Sequence, residues 1–456
     1  MFAFYLTPKA QSLRFMIYAV IAAFVIGYVA IVFEHPLKLD KTVPALIMGA
    51  VIWACISLAH IPTVGADHHI AEMDDVLLHH IGKVAEILFF LIGAMTIVEL
   101  VDLHKGFSVI TNRIATNKKK NMMYLICVLA FFLSATLDNL AATIVLVSLL
   151  RRLVPVREER LWFVSLAVIA ANAGGAWSPI GDVTTTMLWI GKKVTTGGLI
   201  SHLVLPAIVC IIVPAIIASF LPAFKGSITQ LIRDEEAEAE TEKLLSSKVM
   251  LFVGVGALVS VPIFKTITHL PPYVGMMLAL GFVWLVSEYI HPEENFDKVK
   301  SGHAYSAHHA LSRIELSSIL FFLGILVAVA GLESATLPGE TVGLLASMAE
   351  SLDAAVPNQN LVIIILGFLS AIIDNVPLVA ASMGMYTFPT DDTLWHFIAY
   401  SAGTGGSMLI IGSAAGVAAM GMERIDFIWY LKNIAWLALL GFLAGAGVFI
   451  ALQSVF

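Results

Sequence analysis

The chain has 456 residues, of which 59% are hydrophobic and only 13% are charged. That charged fraction is about half of the usual share in soluble domains, and the mean hydropathy is +0.90. These values exclude soluble enzymes, nucleic-acid-binding proteins and disulfide-rich secreted domains. Much of the net charge of −7 comes from one acidic loop, so it indicates no particular partner. The apolar residues occur in blocks of about 20, long enough to cross a bilayer as helices. We therefore expect an all-α polytopic membrane protein.

The first half of the chain contains four predicted spanning helices, at about 15–33, 43–60, 84–103 and 199–221. Two interrupted apolar segments lie between the third and fourth helices. The segment at about 122–153 has Asp138 and Asn139 in its middle, and the segment at about 161–190 is broken by NAGGAWSPIGD at 172–182. We expect the first segment to be a hairpin and the second to be a broken helix.

A charged stretch at 225–248, which contains RDEEAEAETEK, predicts a cytoplasmic linker between two repeats, 1–224 and 249–456. The second repeat has predicted helices at about 249–268, 272–290, 314–336 and 428–453. Its hairpin at about 358–386 carries Asp374 and Asn375 in the middle. Its broken helix at about 395–421 is interrupted by GTGGSMLIIGS at 403–413.

The two halves of the chain contain matching motifs in the same order, which indicates an internal repeat. LSATLDN at 133–139 matches LSAIIDN at 369–375 in five of seven positions. The glycines of the two breaks recur in the same order, namely Gly174, Gly175 and Gly181 in the first repeat and Gly405, Gly406 and Gly412 in the second. Each repeat is thus expected to have about five spanning helices. The glycines of its break would let the backbone turn and approach an ion closely.

Basic flanks predict how each hairpin enters the membrane, because Lys and Arg mark the cytoplasmic side. The first hairpin is flanked by basic residues on both sides, namely Lys118 to Lys120, Arg151, Arg152, Arg157 and Arg160. The second is flanked by the uncharged Asn358 to Asn360 and the acidic Thr390 to Asp392. We expect two re-entrant hairpins that enter from opposite faces, and hence two inverted repeats.

Two carboxylates at equivalent places in two inverted repeats predict an ion site. A carboxylate inside a membrane costs several kcal/mol and is functional by default. Asp138 and Asp374 are therefore expected to form a symmetric cation site or a proton site. Asn139 and Asn375 offer neutral oxygen ligands, as a hard cation requires, although each could instead cap the helix that follows it.

A second polar cluster lies in the breaks. Asp182 is either a third carboxylate ligand, with the hydroxyls of Ser178, Thr184 and Thr185, or a cap on the following half-helix. The second break has Ser413 at the matching place and Ser407 nearby. Three histidine pairs, His68-His69, His79-His80 and His308-His309, are expected in solvated loops, with a pH sensor as the alternative.

These motifs resemble those of the NhaD-type sodium/proton antiporters of the ion transporter superfamily: LSATLDNLAAT with NAGGAWSPIGDVTT, then LSAIIDNVPLVA with SAGTGGSMLIIGS. The resemblance covers about 84–421. It implies exchange of cytoplasmic Na⁺ or Li⁺ for external H⁺, with Na⁺ at Asp138, Asn139, Asp374 and Asn375. It further implies an elevator-like homodimer in the inner (plasma) membrane and no cofactor. One departure is that three crossings precede the first hairpin, where the superfamily commonly has four.

Two alternatives remain open. A cation-coupled anion carrier or an arsenite exporter of the same superfamily is disfavoured, because both hairpin tips carry Asp and would repel an anion. The other alternative is an intramembrane aspartyl protease, a class whose pattern has GxGD at the second Asp and PAL after it. Here Asp374 follows Ala-Ile-Ile, and PAL occurs only at 44–46. We therefore expect a transporter and not an enzyme.

Overall fold

The computed structural model of the protein describes residues 8–65, 69–111, 114, 116–228, 246–290, 307–337 and 342–453. Within these residues the regular structure is helical apart from one pair of two-residue strands, β1 (Thr63–Val64) and β2 (Ile70–Ala71). Eight helices are long and apolar enough to cross a membrane, or up to nine if the bent pair Leu344–Ala355 and Gln359–Ser370 is one span. The predicted polytopic helical class is therefore confirmed.

The N-terminal helices are α1 (Pro8–Val32), α2 (Glu34–Leu37), α3 (Thr42–Leu58), α4 (Met73–Leu103) and α5 (Ser108–Thr111). Helix α4 begins well before the predicted start near 84. Asp74 and Asp75 lie in its first turn, where carboxylates favour the positive end of the helix dipole. This start places His79 and His80 on a helix, so the loop expected for that pair is wrong. His80 Nε2 lies 2.9 Å from Ser334 Oγ.

The other histidine pairs are only partly described. His69 is exposed in the turn before β2, as expected of a solvated residue, and His309 is also exposed. His309 lies on the short helix Ala307–Arg313 rather than in the predicted loop. His68 and the side chain of His308 lie outside the described residues.

The next helices are α6 (Lys119–Leu137), α7 (Asn139–Leu153), α8 (Arg157–Gly175), α9 (Val183–Ile190) and α10 (Thr196–Ala218), followed by a short 3-10 helix at Pro222–Phe224. Helices α6 and α7 meet at Asp138, whose φ is +89°. Helices α8 and α9 are separated by residues 176–182, so the helix continues four residues into the break predicted at 172–182. Residues 229–245 of the predicted linker lie outside the described residues.

The second half contains α11 (Ser246–Thr268), α12 (Pro272–Tyr289), α13 (Ala307–Arg313), α14 (Leu316–Ser334), α15 (Leu344–Ala355), α16 (Gln359–Ser370), α17 (Asn375–Met385), α18 (Thr393–Gly405), α19 (Ala414–Glu423), α20 (Phe427–Asn433) and α21 (Ala435–Leu452). The break between α18 and α19 falls where GTGGSMLIIGS predicts it. The predicted last helix, 428–453, is two helices that meet at Ile434.

The chain forms two compact units. The first comprises Met1–Leu88, Glu315–Val362 and Val376–Pro389. Its core is the contact between α3 and α14. Gly324 packs so closely that a Cβ there would lie 2.6 Å from the backbone of Ala45. Trp53 Nε1 donates to the Val327 carbonyl at 2.9 Å, which satisfies its N–H inside the apolar contact.

The second unit comprises Phe89–Ile314, Ile363–Asn375 and Thr390–Phe456. Small residues bring its helices together, as is common for helices that pack in lipid. A Cβ on Gly445 of α21 would lie 2.6 Å from the carbonyl of Pro206 in α10. Both broken helices and both Asp-Asn motifs belong to this unit.

Candidate functional site

In each broken helix, a glycine before the break lies against the backbone of a glycine after it. A Cβ on Gly406 would lie 2.6 Å from the carbonyl oxygen of Gly412, and one on Gly175 would overlap the carbonyl of Gly181. Only glycine fits such close approaches. The glycines that the sequence repeat pairs therefore occupy equivalent places in their breaks.

Each break also packs directly on the backbone of the adjacent Asp-Asn segment. A Cβ on Gly174 would overlap the carbonyl of Phe131, and one on Gly405 would overlap the carbonyl of Gly367. Ser178 strengthens the first of these contacts, since its hydroxyl donates to the Ala135 carbonyl at 2.6 Å. The breaks and the two Asp-Asn segments thus form a tightly packed region of the second unit.

Asp182 is the central carboxylate of this region, with only 2% of its surface exposed. Its Oδ1 accepts from the Thr184 backbone N–H at 2.9 Å and from the Thr184 hydroxyl at 3.0 Å. These bonds make it the N-cap of α9. Its Oδ2 accepts from Asn139 Nδ2 at 2.9 Å and from Asn375 Nδ2 at 3.3 Å. Asp182 therefore caps a half-helix and also holds the asparagines of both tips.

Asn172 completes the network, although it is not among the site residues predicted from the sequence. It is fully buried in α8. Its Oδ1 accepts from Asn139 Nδ2 at 3.1 Å. Its Nδ2 donates to Ser407 Oγ at 2.8 Å and to Ser413 Oγ at 2.9 Å. One side chain thus joins the first tip to the second break. An amide inside the run AVIAANAGG is the signal that could have identified it.

Ser413 has the role in its break that Asp182 has in the other. It is the N-cap of α19 and accepts from the Gly416 N–H at 3.1 Å. The remaining predicted hydroxyl, that of Thr185, donates to the backbone carbonyl of Asp182 at 2.9 Å. The two breaks therefore share geometry but differ in charge, since only the first carries a carboxylate at its cap.

Asp138 and Asp374 occupy the tips and are half-buried. Asp138 Oδ1 accepts from the Ala141 N–H at 2.7 Å, which makes it the cap of α7. Its φ of +89° is a region that non-glycine residues adopt at a cost of about 1–3 kcal/mol, and such strain clusters at functional sites. Asp374 lies within electrostatic range of Asp182. Both predicted carboxylates are thus beside the cluster, while the more deeply buried one is Asp182.

The arrangement offers oxygen ligands. Since Asp182 accepts and cannot donate when ionised, it turns the amide nitrogens of Asn139 and Asn375 toward itself. Their carbonyl oxygens are consequently directed away from Asp182. Carboxylate and amide oxygens are the ligands that hard cations prefer. In the described part of the chain, no three His, Cys, Asp or Glu side chains form a metal-binding group.

The chain matches a family model described as citrate transporter (CitMHS) over residues 28–396. It is 45% identical to sodium/proton antiporter 1 of Arabidopsis thaliana, over 95% of this chain and 72% of the relative. It is 29% identical to the Na⁺/H⁺ antiporter NhaD of Vibrio cholerae, over 94% of this chain and 91% of the relative. The NhaD protein of Alkalimonas amylolytica is 28% identical over 95% and 90% of the two chains.

These relatives are transporters, and the protein is a transporter rather than an enzyme. The resemblance that the two Asp-Asn motifs and the two glycine breaks predicted is confirmed along almost the whole chain. The protein belongs to the citrate transporter family and, within it, to the NhaD-type sodium/proton antiporters.

Proposed function

We propose that the protein is a secondary active transporter that exchanges cytoplasmic Na⁺ or Li⁺ for external H⁺ across the inner (plasma) membrane. The observation that carries this proposal is the buried Asp182, which holds the asparagines of both tips beside Asp138 and Asp374. The names of the relatives support the same pair of ions.

Exchange follows from competition for carboxylate oxygens. Na⁺ binds the ionised carboxylates together with the carbonyl oxygens of Asn139 and Asn375. Protons neutralise the same carboxylates and release Na⁺. An ion that neutralises the site also lowers the cost of carrying its charge through the membrane. The site therefore crosses loaded with either ion, and the two fluxes are coupled.

Two contacts support the re-entrant form of the hairpins. Lys119 Nζ at the start of α6 pairs with Glu159 Oε1 at the start of α8, just after α7, at 2.9 Å. The Tyr386 hydroxyl, just after α17, donates to Asp353 Oδ1, shortly before α16, at 3.1 Å. In each case the two ends of a hairpin lie together. Because only the first hairpin has basic flanks, we propose that the two hairpins enter from opposite faces and that the repeats are inverted.

The orientation can be tested by cysteine labelling. In a variant without Cys55, Cys127 and Cys210, we expect Lys120→Cys to react from the cytoplasmic side and Asn358→Cys from the external side, because only the first hairpin has basic flanks. Both residues are exposed. A membrane-impermeant maleimide applied to intact cells and to everted vesicles measures the difference.

Lys225→Cys provides the control for this labelling experiment. The backbone of Lys118 bridges to Ser227, so position 225 should label from the same side as position 120. Labelling of positions 120 and 358 from one side would contradict the inverted repeat.

An elevator-like mechanism is part of the proposal. The breaks, Asp182 and both Asp-Asn motifs all belong to the second compact unit, while α1, α3, α14 and α15 belong to the first. We propose that the second unit carries the ion and that the first supports it, in a homodimer of the whole chain. The presence of all the candidate ligands in one unit supports movement of the site as a whole.

Proton flux monitored by a pH-sensitive dye in everted vesicles tests the proposed function. We expect Na⁺ and Li⁺ to dissipate an imposed pH gradient. The half-saturating Na⁺ concentration should rise as pH falls, about tenfold per pH unit where one proton competes. The absence of cation-dependent proton flux, together with uptake of citrate or transport of arsenite, would favour the anion-carrier alternative.

A further inference from the structure

A buried tyrosine holds the second break from outside the ion cluster. Tyr430 lies in α20 with its side chain fully buried, and its hydroxyl donates to the backbone carbonyl of Ser407 at 2.8 Å. Since α18 ends at Gly405, this carbonyl lies in the break rather than inside a helix. A broken helix leaves carbonyls without their helical donors, and burying one unsatisfied is costly. The Tyr430 hydroxyl supplies a donor at that place.

The same residue, Ser407, faces the ion cluster with its side chain. Ser407 Oγ accepts from Asn172 Nδ2 at 2.8 Å. Asn172 in turn accepts from Asn139, and Asn139 donates to Asp182 at 2.9 Å. Hydrogen bonds to the backbone and to the side chain of Ser407 therefore connect Tyr430 to the central carboxylate, by way of Asn172 and Asn139.

We infer that Tyr430 is a positioning residue of the ion site: it fixes the backbone of the second break so that Ser407 orients Asn172 and, through it, Asn139. This inference rests on the proposed function. At the position that the offset between the two breaks pairs with Tyr430, the first repeat has Leu199, which carries no hydroxyl. The second break, which lacks a carboxylate at its cap, is thus held by an added hydroxyl.

The chain contains a matched control. Tyr400 is also fully buried in the second unit, and its hydroxyl also donates to a backbone carbonyl, that of Phe442, at 2.8 Å. That carbonyl lies inside α21 rather than in a break. Tyr400→Phe and Tyr430→Phe therefore each remove a buried hydroxyl that donates to a backbone carbonyl, and only in Tyr430→Phe does that carbonyl belong to a break.

Purified variants in proteoliposomes, at matched protein content, provide the test. Without the Tyr430 hydroxyl the Ser407 carbonyl loses a buried partner, so we expect Tyr430→Phe to raise the half-saturating Na⁺ concentration about five- to tenfold. The maximal rate at saturating Na⁺ should change less than twofold. Tyr400→Phe should leave the half-saturating concentration within about twofold of the parent protein. A general loss of stability would lower the yield of both variants and would not raise this concentration selectively.

A double-mutant cycle tests whether Tyr430 acts on the ion site through Ser407. If Tyr430 acts through Ser407, Tyr430→Phe should have little further effect on the half-saturating Na⁺ concentration in a Ser407→Ala background. Equal effects of Tyr430→Phe and Tyr400→Phe, or full additivity with Ser407→Ala, would overturn the inference. Failure of the parent protein to exchange Na⁺ for H⁺ would instead overturn the proposed function, so the two failures are distinguishable.

Discussion

Asp182→Asn is expected to abolish sodium-dependent proton flux, to at least about 100-fold below the parent protein, since intramembrane carboxylates of this kind carry transport. The substitution removes the charge that Na⁺ and H⁺ would compete to neutralise. It also places an amide NH₂ among four donors: two from Thr184, one from Asn139 and one from Asn375. At least one donor would then face another donor, and the asparagines of the tips would lose their common acceptor.

The measurement is dye-monitored flux in everted vesicles at matched protein content. Glu423→Gln is a matched control, because among the described residues of the second unit Glu423 is the other deeply buried carboxylate, at 3% exposure. It pairs with Arg151 and Arg160 at the end of α19, outside the cluster. We expect this control to lower the yield, since it leaves the half-buried Arg160 without its ion-pair partner, but to keep flux per molecule. Normal flux in Asp182→Asn would show that the charge of Asp182 takes no part in the exchange.

The sequence predicted the parts of this fold that depend on local patterns. Blocks of apolar residues located the long helices, and glycines in NAGGAWSPIGD and GTGGSMLIIGS located the breaks, because a tight backbone approach requires glycine whatever surrounds it. The matching of Gly175 with Gly406 and of Gly181 with Gly412 is visible in the sequence and recurs in the geometry. The Asp-Asn motifs fall at helix junctions because Asp and Asn favour the N-terminal cap of a helix, as Asp138 does at α7.

The sequence could not show which polar residues are the most deeply buried, because tertiary contacts bring those residues together. Asp138 and Asp374 stand out in their apolar segments, whereas the burial of Asp182 depends on contacts with two tips far away in the chain. Asn172 has hydrogen-bond partners 235 and 241 residues away, and no local pattern marks such distances. The early start of α4 was missed because its first turns are polar, and a window of hydropathy underestimates helices that extend beyond the membrane.

Asp138→Asn and Asp374→Asn are expected to insert and fold but to lose coupled exchange. Asn keeps the size of Asp and caps a helix about as well, so the bond from the Ala141 N–H to position 138 is retained. What disappears is the charge that stabilises bound Na⁺ and that a proton can neutralise. We expect sodium-dependent proton flux to fall by at least about 100-fold in each variant. Asp→Glu at either position should keep some flux with weaker Na⁺ affinity, because the longer side chain displaces the carboxylate.

Asp392→Asn is the matched control for these two substitutions. Asp392 also caps a half-helix, since its Oδ1 accepts from the Leu394 N–H at 2.9 Å at the start of α18. It lies at the opposite end of α18 from the break, so neutralising it removes a capping carboxylate without touching the cluster. We expect flux close to that of the parent protein. Flux near the parent level in both Asp138→Asn and Asp374→Asn, at matched protein content, would exclude a site in which the two carboxylates bind Na⁺ and H⁺ in turn. Loss of flux in both, with Asp392→Asn unaffected, would tie the exchange to the charge at the tips.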